Sequence, residues 1–184
     1  FEENKAVAMS ILLKPVIPPA HMMPVSLIAG LSVLLAVKEV TGLDCLLKWP
    51  NDIICNNKKI GGILIESAIE GEYTRFIILG IGINCNIEIF PKEIKDYATS
   101  IFLETNDKVS RKNIICKTLE NFEKLYFNWI SEYDDKSDFK NGSGNDFSYL
   151  KLYKEKCLNL GKEILIKKAD KEFTAIAHDV DMLG

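Results

Sequence analysis

Residues able to do chemistry gather in three short segments of the first half of the chain. Lys48-Trp49-Pro50-Asn51-Asp52 sets a cation, an indole, a residue of fixed φ, an amide and a carboxylate side by side. Proline cannot donate to a strand ladder, so Pro50 ends a strand and Asn51-Asp52 turns the chain. One reading is a strand, a turn and a solvated ion pair; the other puts Lys48 and Asp52 at a pocket mouth, placed for phosphate and amine chemistry. The second segment is Lys58-Lys59-Ile60-Gly61-Gly62-Ile63-Leu64-Ile65-Glu66. Adjacent glycines weaken a strand through entropy and lost packing, which points to a ligand or another backbone close by. Lys59, just upstream, can meet an anionic or carbonyl oxygen as a point charge; the competing reading is an exposed turn lysine beside a bulge.

The third segment is Gly80-Ile81-Gly82-Ile83-Asn84-Cys85-Asn86. Side chains alternate along a strand. One face therefore carries Gly80, Gly82, Asn84 and Asn86, and the other carries Ile81, Ile83 and Cys85. The second face is core. The first is a floor for a flat ligand with polar groups at its end. It is not a dinucleotide fingerprint, because the third glycine and an immediately following helix are missing.

The elements that must position these segments follow from hydropathy patterning. Residues 6–13 form an apolar run read as a buried strand, and residues 16–19 are a proline-stiffened connector. Residues 25–40 are apolar nearly all round, with Ser26 as a candidate cap and Gly42 just past the end. They predict a helix buried on most sides. Strands at 45–49, 52–55, 59–66 and 73–86, joined by Asn56-Asn57 and Glu70-Gly71-Glu72, predict an antiparallel meander. Residues 90–100 read as a loop holding a short helix. Over 110–130, Ile115, Leu119, Phe122, Tyr126 and Trp129 recur at helical spacing and predict a packed core stripe. A polar linker over 134–145, a helix over 149–160 and a hairpin of 163–167 with 172–177 around residues 169–171 complete the reading.

Composition bounds the rest. The 184 residues hold 23 Lys+Arg and 26 Asp+Glu, for a net charge of −3, with 47% hydrophobic residues. That fits one globular core with a small appendage and leaves no electrostatic footprint for non-specific nucleic-acid binding. The longest uncharged apolar stretch, 21–37, contains Pro24 and falls short of a membrane span. Five scattered cysteines without a CxxC fit reduced thiols rather than a disulfide framework or a zinc site. Two histidines, His21 and His178, offer little for a Ser-His or Cys-His nucleophile. No signal peptide is evident, so the cytoplasm is the expectation. A start at Phe1 and a turn-like end predict a piece of a longer chain.

The three segments, in this order and spacing, resemble the biotin protein ligase family. Ser10-Ile11-Leu12-Leu13-Lys14-Pro15, Ala98-Thr99-Ser100-Ile101 and Gly161-Lys162-Glu163-Ile164-Leu165-Ile166 extend the resemblance over nearly the whole chain. It implies an α+β fold like that of class II aminoacyl-tRNA synthetases, a mixed sheet packed by helices, followed by an SH3-like β-barrel. Residues 1–160 would be an N-terminally incomplete catalytic domain, and 161–184 the start of the barrel. The implied reaction activates biotin with ATP and Mg2+ to biotinyl-5′-AMP, then transfers the biotinyl group to a lysine of a biotin carboxyl carrier protein. Lys59 would contact biotin and the reacting oxygens, Gly61 and Gly62 would line the biotin slot, and Gly80, Gly82 and Asn84 would face the ligand and nucleotide. Asp52 would meet the acceptor lysine, and Lys48, Trp49 and Asn51 are motif members of less defined role, Trp49 either packing or facing adenine. No resident metal site is expected. The family's Gly/Arg-rich phosphate loop would precede Phe1, so these 184 residues alone are expected to be nearly inactive. A homodimer stays open, and DNA binding would need an N-terminal domain outside the piece. The alternatives are a non-catalytic biotin or adenylate sensor, a lipoate-ligase-like acyl transferase, and an interaction domain without ligand.

Overall fold

The computed structural model describes residues 4–135, 147–168 and 171–183. Its centre is helix α1 (Met23–Thr41), buried almost without interruption from Pro24 to Val37. Pro24 stands in the first turn, where a missing N–H costs no hydrogen bond. Gly42 ends the helix at φ 78°, its N–H bonded to the Lys38 carbonyl at 2.9 Å; this left-handed position suits glycine. Ser26 is not the cap: the helix starts one residue after Met22, and Ser26 lies buried inside the first turns. Length and composition would let α1 cross a membrane, but here its surface is covered by protein.

Among the described residues, β1 (Ala6–Leu13), β2 (Leu46–Lys48), β3 (Asp52–Cys55), β4 (Lys58–Glu70) and β5 (Tyr73–Asn84) form one sheet in the order β1-β5-β4-β3-β2. Every ladder in it is antiparallel. The expected mixed sheet is therefore corrected: short turns join β2 to β5 in sequence, and such connections allow only antiparallel pairing. Parallel pairing is confined to single bridges, Leu47 with Cys157 and Lys59 with Ala98. Asn56 and Asn57 both take positive φ, 46° and 64°, which makes the tight turn between β3 and β4. The strand read as buried, β1, is instead an edge strand on which only Val7 is fully buried and Leu12 is 62% exposed.

Helices close one face of the sheet. The short helix expected within 90–100 lies later, at α2 (Ile101–Thr105), where the Ser100 hydroxyl caps the Leu103 N–H; residues 92–97 wind as turns. Helix α3 (Arg111–Asp135) packs along α1. Its buried seam runs through Ile114, Thr118, Phe122 and Trp129, with Ile115 and Tyr126 packed beside it; of the expected stripe only Leu119 departs, 41% exposed. Packing against α1 sets the line of the seam, and the small Thr118 is buried on it in place of Leu119. Helix α4 (Ser148–Lys156) is shorter than expected because Cys157 turns extended and bridges to Leu47. The linker expected over 134–145 lies almost wholly outside the described residues. Strands β6 (Glu163–Lys168) and β7 (Lys171–Ile176) pair as an antiparallel hairpin, with residues 169–170 outside the described set. After β7, Val180 and Met182 return to the main core, and Lys154 pairs with Asp179 at 2.7 Å.

Candidate functional site

The sheet has one closed and one open face. Ile53, Ile63, Ile81 and Ile83 are buried in the core on the closed side. On the open side β4 and β5 present Gly62 and Gly82, which stand opposite one another in the ladder, and then Asn84. They form the floor of a cleft of about 590 Å³.

Strict alternation would put Lys59 on the opposite face from Gly62. It does not, because β4 carries a bulge. Ile53 pairs with Gly61 and Ile54 with Lys59, leaving Ile60 as an extra residue with its side chain buried. Such an insertion re-aims the following side chain. Lys59 thereby joins Gly62 and Asp52 on the open face, and its Nζ lies 2.5 Å from Asp52 Oδ1. The bulged backbone is satisfied from outside the strand: Lys59 N–H donates to Tyr97 O at 2.7 Å, and Thr99 N–H donates to Lys59 O at 2.9 Å.

The two glycines are constrained differently. A Cβ on Gly61 would stand 2.8 Å from the Gly82 carbonyl, so the closeness of the two backbones excludes a side chain there. A Cβ on Gly62 would stand 3.1 Å from Lys59 Nζ and would push the lysine. Above Gly82 there is room, the nearest atom being Gly62 O at 3.8 Å.

Asn84 Nδ2 donates to Thr99 O at 3.0 Å, which fixes the amide at the cleft wall. Lys48, at the end of β2, adds a second cation to the lining. Apolar side chains complete the walls: Ile54 from β3, Phe90, Ile94 and Tyr97 from the loop, and Leu158 from beyond α4. The cleft thus offers a side-chain-free slot, two lysines, one carboxylate and one oriented amide. That set suits a flat, largely apolar ligand with an anionic end. The thiols nearby contribute no nucleophile. Burial pushes Cys85 up to about 11 and raises Cys55 as well, so both stay protonated. Among the described residues no three His, Cys, Asp or Glu side chains gather as a metal site.

A family model described as the Biotin/lipoate A/B protein ligase family matches residues 2–84. The bifunctional ligase/repressor BirA of Bacillus subtilis is 39% identical over 132 residues, 71% of this chain and 41% of that protein. The chain's match thus spans less than half the length of that relative. A crystal structure of the biotin protein ligase from Aquifex aeolicus superposes with a TM-score of 0.76 at 29% identity, covering 98% of this chain and 72% of that one. The apo structure of the Aquifex protein gives 0.72 at 30% identity, covering 92% and 68%. The chain belongs to the biotin protein ligase family. A structure of the Aquifex ligase in complex with biotin and ATP also matches, with a TM-score of 0.68 at 30% identity, covering 92% of this chain and 65% of that one.

Of the residues singled out from sequence in this family member, the cleft brings together Lys48, Asp52, Lys59, Gly61, Gly62, Gly82 and Asn84. Three fall elsewhere. Gly80 lies one strand repeat further along, against Leu64, whose Cβ would be 3.6 Å from a side chain there. Asn51 secures the turn, its Nδ2 donating to Ile63 O at 2.9 Å while its own carbonyl accepts from Ile63 N–H at 2.8 Å. Trp49 points away from the cleft into a separate hollow of about 320 Å³ beside Ile164, Ile166 and Val180, and its backbone N–H donates to Asn159 Oδ1 at 2.8 Å. The indole therefore lies beside the C-terminal hairpin rather than among the cleft-lining side chains. Sequence reading missed the walls: Ile54, Phe90, Ile94, Tyr97 and Leu158. Apolar residues such as Ile94 and Tyr97 within the charged run 92–97 are the local signal; the structure leaves them 46% and 74% exposed.

Proposed function

We propose that the protein is a cytoplasmic biotin protein ligase, which condenses biotin with ATP and transfers the biotinyl group to a lysine of a biotin carboxyl carrier domain. The observation that carries this reading is the re-aimed Lys59 standing over the Gly62–Gly82 floor, beside Asp52. The Aquifex relative supports it through the ligands in its structure, biotin and ATP. The five free thiols fit a reducing compartment.

In the first step a biotin carboxylate oxygen attacks the α-phosphorus of ATP and pyrophosphate leaves. Negative charge grows on oxygens near Lys59, and a fixed ammonium in a partly enclosed cleft stabilises it. Gly62 and Gly82 admit the ligand's flat body, and Lys48 offers the polyphosphate a second cation. In the second step the acceptor amine attacks the acyl carbon, AMP leaves, and the amine's proton passes to Asp52 or to water. The metal that accompanies ATP fits this site as a guest of the phosphates. Asp52 and Asn84 Oδ1 are the oxygens the cleft itself offers, and Mg2+ is commonly held by one or two such groups with phosphates and water. Strands β6 and β7 are read as the opening hairpin of the SH3-like barrel.

Calorimetry of the full-length protein with biotin, ATP and both together tests the reading. Binding of both, with pyrophosphate release, is the expected result. Lipoate displacing biotin would move the protein to the acyl-transferase branch, and heat with neither ligand would overturn ligase function.

A further inference from the structure

The carboxylate assigned to the acceptor amine is also the partner of the lysine assigned to the anionic ligand. Lys59 Nζ and Asp52 Oδ1 are 2.5 Å apart, with side chains 48% and 24% exposed. A carboxylate or phosphate that reaches Lys59 therefore arrives within a few ångströms of a second negative charge, which repels it. Lys59 has room to change partners. A side chain at Gly62 would stand 3.1 Å from Lys59 Nζ, so the glycine there and its ladder partner Gly82 leave the lysine tip beside a slot without side chains. Its backbone stays clamped by Tyr97 and Thr99, so the movement is confined to the flexible four-carbon arm.

We propose that Asp52 and Lys59 form an exchangeable ion pair that orders the two half-reactions. Asp52 is the counter-ion of Lys59 until a ligand anion takes the ammonium over. The carboxylate so released then attracts the cationic acceptor lysine. This deepens the ligase reading and rests on it. Asp52 thus weakens binding of the acid in the first step and strengthens binding of the acceptor in the second. The coupling is reciprocal: an anion on Lys59 favours the acceptor amine at Asp52.

The test compares the wild-type protein with Asp52→Asn, which keeps the side chain's shape and removes its charge; thermal unfolding checks that both are folded. Biotin should bind the variant about fivefold or more tightly than the wild type. Uncharged biotinamide should bind both equally. With the adenylate in place, KM for the carrier domain should rise in the variant and transfer should slow. Unchanged or weaker biotin binding by the variant overturns the exchange, as does equal tightening of biotinamide. If the wild type binds no biotin, the ligase reading fails, and inorganic pyrophosphate replaces biotin as the anion probe in the same comparison. Tighter pyrophosphate binding by Asp52→Asn then supports the exchange on its own, and no gain, or no binding by either protein, overturns it.

Discussion

The two faces of the central sheet are built from alternate residues of the same strands, yet they obey opposite constraints. On the closed face Ile53, Ile81 and Ile83 fill the space beneath α1 and leave no room for change. On the open face the same strands withdraw their side chains at Gly62 and Gly82 and leave charge and amide groups at the rim. Stability resides in one face and chemistry in the other, so a substitution should affect mainly the property of its own face. Gly61 is the informative exception, since its backbone faces the core while its neighbour lines the slot.

The largest effect is expected on the closed face. Ile81→Ala should cost about 2–5 kcal/mol in chemical denaturation, while any remaining folded protein keeps its biotin affinity. A loss well under 1 kcal/mol would mean that the face is loosely packed. On the open face, Lys59→Met should slow adenylate formation about 10²–10³-fold with little change in the denaturation midpoint. Parallel loss of stability would break the division between the faces. Gly61→Ala should cost about 1–3 kcal/mol, as overpacked positions do, because its Cβ would meet the Gly82 carbonyl at 2.8 Å. Smallest of all, Gly82→Ala should change stability by less than about 1 kcal/mol and weaken biotin binding in calorimetry. Unimpaired binding there would move the ligand off the Gly62–Gly82 floor.

The division of faces was largely legible in the sequence. Period-two alternation over residues 80–86 separates Gly82 and Asn84 from Ile81 and Ile83 without any structure, and Asn56-Asn57 marks the hairpin. The position of Lys59 was not legible. Ile60 looks like any strand residue, and only its pairing against Ile53 and Ile54 makes it an insertion. The cleft walls escaped for a different reason. Leu158 reaches the site because the chain after α4 returns to β2, where its N–H bonds to Leu47 O at 2.7 Å; no local pattern encodes that return. Gly80 shares the open face with Gly82 but stands one strand repeat beyond the cleft lining, a distance that alternation alone does not give. The helix α3 stripe was legible except at Leu119, because the exact line of the seam belongs to α1.

The bulge at Ile60 also bears on which changes of length the chain can accept. Removing that one residue would leave Lys59 opposite Ile54 in a regular ladder, on the open face as before, and would take the buried Ile60 side chain out of the core. The far end of the same strand pair is open by comparison. Gly71, at φ 62°, has nothing within 4 Å of where a side chain would stand, and the turn around it lies away from the cleft. Insertions and deletions should therefore be accepted more readily between β4 and β5 than between β3 and β4, whose turn holds Asn56 and Asn57 at positive φ and whose bulge buries Ile60.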